Sequence, residues 1–331
     1  MDRKNYKLNR VFWIVMLIVL VVINAKAQQL TQSSQYMLNR LILNPAVAGS
    51  EEKIPVMGTF RRQWVNIKDA PVTQTLSSHA YVGQTIGIGL ILFNDASGPT
   101  RRSGLNFSAA KHLQVDKGSD TWLSFGLAAK FFQYAFDVDK LKFDRPDDPV
   151  IGLAAKSKLT PDAAAGLYLY NKEFYAGISA QHLFQTKVNM LDINNIYDAS
   201  IERTYFLTAG YNFVFSDYLA LEPSVLVKYV KPSPIQVDIN AKLTIAEMVW
   251  AGVSYRTSDA VVALAGITYD KFSLGYSYDI VLNPLKPYNK GTHELFIALR
   301  LDNILSKDDQ GKGYGGRYKK NPYYKKKPGR R

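Results

Sequence analysis

Residues 236–245 read Gln-Val-Asp-Ile-Asn-Ala-Lys-Leu-Thr-Ile, and they indicate how this chain folds. Every second residue from Val237 to Ile245 is apolar, and the residues between them are polar: Asp238, Asn240, Lys242 and Thr244. Because successive side chains of a strand point to opposite faces, this alternation predicts a strand with one apolar and one polar face. Repeated segments of about ten residues with such alternation, separated by turn residues, are typical of a transmembrane β-barrel.

The rest of the chain repeats this pattern, and we count about fourteen strand candidates, an even number as in outer-membrane barrels. The candidates lie near residues 54–64, 73–82, 85–95, 102–114, 121–136, 161–171, 173–184, 201–215, 219–230, 236–246, 249–257, 260–270, 271–282 and 292–302. With both termini placed in the periplasm, the connections on that side are all short. The opposite connections, which include residues 96–101, are mostly longer, and the longest are residues 137–160 and 185–200. This asymmetry also favours an outer-membrane barrel.

The alternative to a barrel is a pair of soluble β-sandwiches. Such domains need outward faces that are polar. Here the polar faces carry few charges, and the apolar faces are rich in aromatic residues, of which the chain has 21 Tyr, 16 Phe and 4 Trp. The composition therefore favours the barrel, whose strands carry aromatic girdles at the membrane interfaces.

Both ends of the chain differ from the strand region. Residues 1–27 combine a basic start, an apolar run over residues 11–23 and Ala25-Lys26-Ala27, which together predict a secretory signal peptide. The alternative, a membrane anchor, is disfavoured because a helix needs roughly 20 apolar residues to span a membrane. Residues 28–53, which we call the leader, lack strand alternation and are expected inside the barrel (residues 54–306) or along its periplasmic rim.

The C-terminal tail, residues 307–331, contains Lys, Arg, Tyr, Gly and Pro but no aliphatic side chain. Such a segment cannot bury a core and is expected to be disordered until it binds a partner. The signal peptide and the tail carry most of the net charge of +13. Although basic residues that alternate with Tyr resemble a nucleic-acid-binding tail, export takes the chain away from nucleic acid. A solvated tail and a periplasmic tether to an acidic protein, to lipid headgroups or to cell-wall polymer remain open.

Residues that could carry chemistry are few, and we predict no enzyme, no cofactor and no metal site. The chain has no Cys, and its four His residues lie far apart in the sequence. None of the common catalytic or metal-binding motifs occurs. Asp144, Asp147 and Asp148 could bind calcium, but a solvated loop tip is the simpler interpretation. The polar strand faces supply charges of both signs, which we expect to point into the lumen: Lys130, Glu222, Lys228, Asp238, Lys242, Glu294 and Arg300.

Several motifs together resemble one family of proteins. The most specific are Ser-Gln-Tyr-Met-Leu-Asn at residues 34–39 and Leu-Asn-Pro-Ala-Val-Ala-Gly-Ser at residues 43–50. Others follow in the same order as in the family, at residues 60–64, 70–71, 75–79, 94–95, 98–102, 161–168, 174–177, 275–279 and 293–295. Over residues 28–302 the chain resembles the PorP/SprF family, outer-membrane barrels of the type IX secretion system and gliding machinery of Bacteroidota. Arg40, where the family usually has Pro, and the basic tail depart from the family pattern.

This resemblance implies a non-catalytic component that assists secretion and cell-surface attachment of cargo with C-terminal sorting domains. Its implied partners are the secretion machinery, a periplasmic peptidoglycan-binding lipoprotein, a large secreted adhesin and outer-membrane lipid. We assign partner binding to residues of the shared motifs and of the tail: Asn44, Pro45, Gly49, Arg61, Arg62, Trp64, Asp95, Pro99, Lys325, Lys326 and Lys327. The long loops are expected to meet cargo, and the leader and tail to meet periplasmic machinery.

Two other functions remain open from the sequence. The first is a small-solute porin or channel, although the mixed charges of the lumen argue against strong ion selectivity. The second is a structural anchor between the outer membrane and the cell wall.

Overall fold

The computed structural model describes residues 32–83, 85–137, 157–188 and 199–305. Over these residues the chain forms a closed antiparallel β-barrel of fourteen strands, as the sequence predicts. The predicted signal peptide, the carboxylate cluster at Asp144, Asp147 and Asp148, and the basic tail lie outside the described residues.

The described residues form seventeen strand segments. Those of the barrel wall follow one another around it, and each barrel strand pairs with the barrel strands before and after it in sequence. The seventeen segments are β1 (Ile54–Arg62), β2 (Val72–Val82), β3 (Ile86–Ser97), β4 (Thr100–Asp116), β5 (Thr121–Phe136), β6 (Ser157–Tyr170), β7 (Phe174–Gln181), β8 (Lys187–Val188), β9 (Ala199–Ser200), β10 (Thr204–Tyr211), β11 (Phe213–Ser216), β12 (Leu219–Val230), β13 (Gln236–Ile245), β14 (Val249–Arg256), β15 (Ala260–Tyr269), β16 (Phe272–Val281) and β17 (Thr292–Leu301). β10 and β11 continue one barrel strand on either side of Asn212, and β8 and β9 form a separate two-stranded ribbon.

The barrel closes between its first and last strands. β1 pairs with β17 in a register that runs from Ile54 opposite Leu301 to Arg62 opposite His293. On the other side, β10 pairs with both β7 and β12. Closure gives each of the fourteen barrel strands a hydrogen-bonded neighbour on both sides, so backbone groups of the wall find partners within it, which the interior of a membrane demands.

The barrel is apolar outside and polar inside. On β13, the Ile239 side chain is 57% exposed, whereas Asp238 is 3% exposed. β17 repeats the contrast, with Ile297 at 54% and Glu294 at 1%. The outward apolar face is the one that lipid covers in a membrane. No helix in the described part of the chain has the length and apolar character needed to cross a membrane.

The two ends of the barrel differ in their connections. At the end that we call the turn end, β2–β3, β4–β5, β6–β7, β11–β12, β13–β14 and β15–β16 are joined by short turns. The opposite end is the loop end. One predicted loop there is wrong: β3 and β4 form a tight hairpin in which Ser97 pairs with Thr100, because Gly98 adopts a φ of 56°. The longest predicted loops lie largely in residues 138–156 and 189–198, outside the described residues.

The lipid-facing position of Ile239 can be tested directly. Ile239→Arg should destabilise the barrel by about 2–4 kcal/mol, because it places a cation in the apolar band, and Ile239→Leu should be nearly neutral. Urea unfolding from lipid vesicles measures both variants. Equal stability of the two would show that this face does not meet lipid.

Candidate functional site

The leader lies inside the barrel lumen. Residues 34–37 and 45–49 are buried within it, as are most of the residues between them. Two short 3-10 turns, Arg40–Ile42 and Pro45–Val47, fold the segment compactly. The sequence left two positions open for the leader, the barrel interior and the periplasmic rim. The described part of the leader occupies the interior.

The described leader begins beside five buried charged residues that we call the ionic cluster: Arg61, Asp238, Arg256, Asp279 and Glu294. The Arg61 guanidinium lies 2.8 Å from carboxylate oxygens of both Asp279 and Glu294. Arg256 lies 3.0 Å from Asp238 and 3.2 Å from Asp279, so Asp279 joins the two arginines. Each charge therefore has an opposite partner, which is the condition for burying it at tolerable cost.

Ser34 ties the leader to this cluster. Its backbone N–H donates to Glu294 at 2.8 Å, and its hydroxyl donates to Asp279 at 2.8 Å. The same hydroxyl oxygen accepts from Arg61 at 2.7 Å. All five charged residues lie within two positions of the loop end of their strands. The described leader therefore starts near the loop end, and it reaches β1 at the turn end.

A second ion-pair group holds the middle of the leader. Arg40 donates to Glu222 of β12 at 2.7 Å, and Lys242 of β13 contacts the other oxygen of Glu222 at 2.7 Å. The Arg40 guanidinium also lies 3.8 Å from the ring centroid of Tyr175, a cation–π contact. Arg40, which departs from the family pattern, is thus a specific link between the leader and the wall.

Glycines in the wall allow the leader to approach closely. The Asn44 amide donates to the carbonyl of Leu167 at 2.8 Å, while its side-chain oxygen caps the N–H of Ala46 at 2.9 Å. A Cβ at Gly166 would clash with Asn44, and one at Gly126 would clash with Ala46. Only Gly leaves room for the leader at these two places.

The last turn of the leader is bound by two histidines of the wall. His112 contacts the carbonyl of Ala48 at 2.8 Å through Nε2 and the Tyr170 hydroxyl at 2.9 Å through Nδ1. The N–H of Gly49 donates to Nδ1 of His79 at 3.2 Å. Both rings hold the end of the leader against the wall. Among the described residues, no group of three or more His, Cys, Asp or Glu side chains could hold a metal ion.

Between the leader and the loop end lies a cavity of about 790 Å³, open mouth included, that we call the vestibule. Ile42 and Leu43 of the leader line it, and the inner faces of eight strands contribute polar and apolar side chains. A smaller cavity lies beside it against Lys228, Asp238 and Arg256.

The predicted partner-binding residues fall into two groups. Asn44, Pro45, Gly49 and Arg61 contact other parts of this chain inside the barrel, so the contacts seen for them are internal. The others that the structure describes lie at the loop end: Arg62, Trp64, Asp95 and Pro99. Lys325, Lys326 and Lys327 lie outside the described residues.

The predicted lumen residues lie on the inner face of their strands. Asp238 and Glu294 belong to the ionic cluster, and Glu222 and Lys242 hold Arg40. Arg300 lies near the turn end, where it donates to Ser273 at 2.9 Å. Lys130 and Lys228 line the vestibule and the smaller cavity, respectively.

Sequence reasoning missed several residues that hold the leader: Ser34, Arg40, His79, His112, Arg256 and Asp279. Arg256 and Asp279 lie at or near the ends of β14 and β16, with their charges on the inner face. The alternation of polar and apolar residues could therefore have identified them as lumen residues. Ser34 and His112 gave no such signal, because their partners lie 27 or more positions away in the sequence.

Comparison with known proteins agrees with this architecture. A family model described as "Type IX secretion system membrane protein PorP/SprF" matches residues 25–299. A search of curated proteins found no significant match.

Among solved structures, the chain is similar to outer-membrane barrels. The Ralstonia pickettii toluene transporter TbuX is 10% identical with a TM-score of 0.47, and the match covers 82% of this chain and 94% of that one. The monoaromatic hydrocarbon channel CymD is 13% identical with a TM-score of 0.46, with 83% and 93% covered. Omp33 of Acinetobacter baumannii is 10% identical with a TM-score of 0.42, with 76% and 100% covered. These similarities carry no information about a ligand of this chain.

The close contact between leader and wall leads to a prediction. Gly166→Ala should destabilise the protein by about 1–3 kcal/mol, because the added Cβ displaces Asn44 from its place against β6. Gly118→Ala is the matched control, since a Cβ there would meet Asp116 no closer than 3.4 Å. Chemical unfolding in detergent measures both. If the two variants are equally stable, the leader does not pack against β6 as described.

Proposed function

Because the chain belongs to the family of type IX secretion system membrane proteins PorP/SprF, we propose that it is a non-catalytic outer-membrane component that assists secretion and surface attachment of cargo with C-terminal sorting domains. The observation that supports this most is the leader within the lumen. A barrel whose interior is occupied by its own chain offers surfaces for other proteins rather than an open path for solutes.

The loop end provides a preorganised surface for cargo. In the loop between β1 and β2, the N–H of Val65 donates to Gly291 at 2.9 Å, and Lys290 donates to Val65 at 2.7 Å. Gly98 of the next hairpin donates to Asp69 at 2.8 Å. These bonds join three connections into one rim. A surface that is already ordered loses less entropy when it binds, so this rim suits a cargo-binding role. In this proposal the loops over residues 137–160 and 185–200 also contact cargo.

The chain after β17 leads to the opposite side. Asn303 donates to the carbonyl of Tyr81 at 3.0 Å, and Gly83 donates to Leu305 at 3.2 Å, so these residues lie against the β2–β3 turn. Outer-membrane barrels keep their short turns in the periplasm. The basic tail would then start in the periplasm, where an acidic partner or the peptidoglycan-binding lipoprotein of the machinery can bind it.

The sequence suggested that the leader contacts periplasmic machinery, but its position inside the barrel suits closing the lumen better. Residues 34–49 are engaged with the wall, and Ser34 lies at the ionic cluster near the loop end. In this proposal the leader closes the lumen, and the tail alone contacts the periplasmic machinery.

Two variants of the full protein test the division of roles, and each is the control for the other. Replacing residues 138–156 and 189–198 with short Gly/Ser linkers should abolish cargo attachment at the cell surface while periplasmic partners still co-purify. Deleting residues 307–331 should reduce co-purification of periplasmic partners, because it removes most of the net positive charge that the chain carries after residue 27. Surface cargo is measured by immunoblotting of intact cells, and partners by affinity purification.

Normal secretion and attachment of cargo in a strain that lacks the whole protein would overturn the secretion role. Undiminished periplasmic partners in the tail deletion would instead overturn only the role of the tail. A structural anchor to the cell wall would be indicated if loss of the protein weakened the envelope but left secretion intact.

A further inference from the structure

A row of polar side chains crosses three strands inside the vestibule. Asn106 of β4 lies directly opposite Lys130 of β5, and Lys130 lies directly opposite Asp162 of β6. Opposite residues on one face of an antiparallel pair have Cβ atoms about 4.5–5.5 Å apart, so the three side chains are neighbours. His182, which follows β7, continues the row through a 2.7 Å hydrogen bond to Asp162.

Lys130, the cation in this row, forms no direct ion pair with a described residue, although Asp162 lies opposite it on β6. Lys130 is 5% exposed, and its ammonium donates to the side-chain oxygen of Gln181 at 2.8 Å. The Gln181 amide nitrogen is committed to the carbonyl of Leu43 at 2.8 Å. Asp162 is engaged by His182 and by the backbone N–H groups of Ala163 and Phe184. An ammonium buried with one neutral acceptor is costly unless an anion joins it.

Three further polar atoms that line the vestibule are buried without a hydrogen-bond partner in the described part of the chain. They are Nε2 of His182, Nε of Arg102 and Oδ1 of Asn106. Buried polar atoms in folded proteins are nearly always satisfied. Nε of Arg102 is a donor, which an anionic ligand can satisfy, whereas Oδ1 of Asn106 is an acceptor and needs a donor such as water. Lys130 and Arg102 supply positive charge to this part of the vestibule.

The remaining wall of this part of the vestibule is apolar. Ile91, Phe93, Phe132 and Phe206 line it, and Leu43 of the leader completes it. The Arg102 guanidinium lies 5.4 Å from the ring centroid of Phe93, and the Phe132 ring meets the ring of His182 edge to face at 5.7 Å. Cationic donors and an apolar wall therefore lie side by side, which is the usual composition of a small-molecule site.

We propose that the vestibule binds a small monocarboxylate with an apolar body. The carboxylate accepts hydrogen bonds from Lys130 and Arg102, and the apolar body lies against Phe93, Phe132 and Phe206. A carboxylate fits better than a neutral polar group because charge-assisted hydrogen bonds to Lys and Arg are the stronger kind. This site goes beyond the secretion role and does not depend on it.

Isothermal titration calorimetry on the full-length protein in detergent, with hexanoate as the probe, tests the proposal. Hexanamide has the same apolar body without the charge, and acetate has the charge without the body. Hexanoate should bind at least about tenfold more tightly than either, because it alone satisfies both halves of the site. This comparison needs no variant.

Lys130→Met should weaken hexanoate binding by at least about tenfold. The variant should still fold, since replacing a buried unpaired charge with an apolar side chain of similar length removes a burial cost. Lys228→Met is the matched control, because Lys228 also points into the lumen but lines the other cavity. It should leave hexanoate binding unchanged.

Several results would overturn the site. Absence of hexanoate binding would show that water alone fills the vestibule. Equal binding of hexanamide would remove the role of the cations, and equal binding of acetate would remove the role of the aromatic wall. Equal loss of affinity in Lys130→Met and Lys228→Met would indicate a general effect of lumen charge.

Discussion

The interior of a fourteen-stranded barrel is too wide for the side chains of its wall to fill, and this constraint governs the rest of the structure. The protein meets it by folding its own leader into the lumen. Polar groups on the inner face then need partners other than water, and the leader supplies them. Ser34 joins two carboxylates and an arginine, and Arg40 reaches across to Glu222.

The ionic cluster makes the leader an integral part of the fold. Taking charges out of water is expensive, and the cost is offset only when each charge has a well-placed partner. Asp279 is shared by Arg61 and Arg256, and Ser34 accepts hydrogen bonds from both arginines. Withdrawal of the leader would leave these donors and carboxylates incompletely satisfied. Glycines such as Gly126 and Gly166 complement this arrangement, because they leave the wall no Cβ where the leader backbone passes.

The strands could be predicted from the sequence because their determinant is local. The alternation in β13 depends on neighbouring residues only, and the chain repeats it around the barrel. An even number of strands places the first and last strands antiparallel, as β1 and β17 are where the barrel closes. The hairpin at Gly98 was missed because the residues that flank it look like a loop, whereas one glycine with positive φ suffices for a tight turn.

The lumen could be predicted only in part. Inward charges such as Glu294 were visible on the polar face of a strand, but their partners were not, because Ser34 and Asp279 are 245 positions apart. The leader has no strand or helix period, so nothing local indicated its path from the loop end to the turn end. The histidines show the same limit: His112 looked like a strand-end residue, and only the fold shows that it holds Ala48.

Single-channel recording in planar lipid bilayers can show whether the leader closes the lumen. The purified full-length protein should give no steady open level, while a water-filled porin recorded under the same conditions should give one. A stable open conductance of the intact protein would contradict the account, because it would mean that the leader leaves a continuous aqueous path through the barrel.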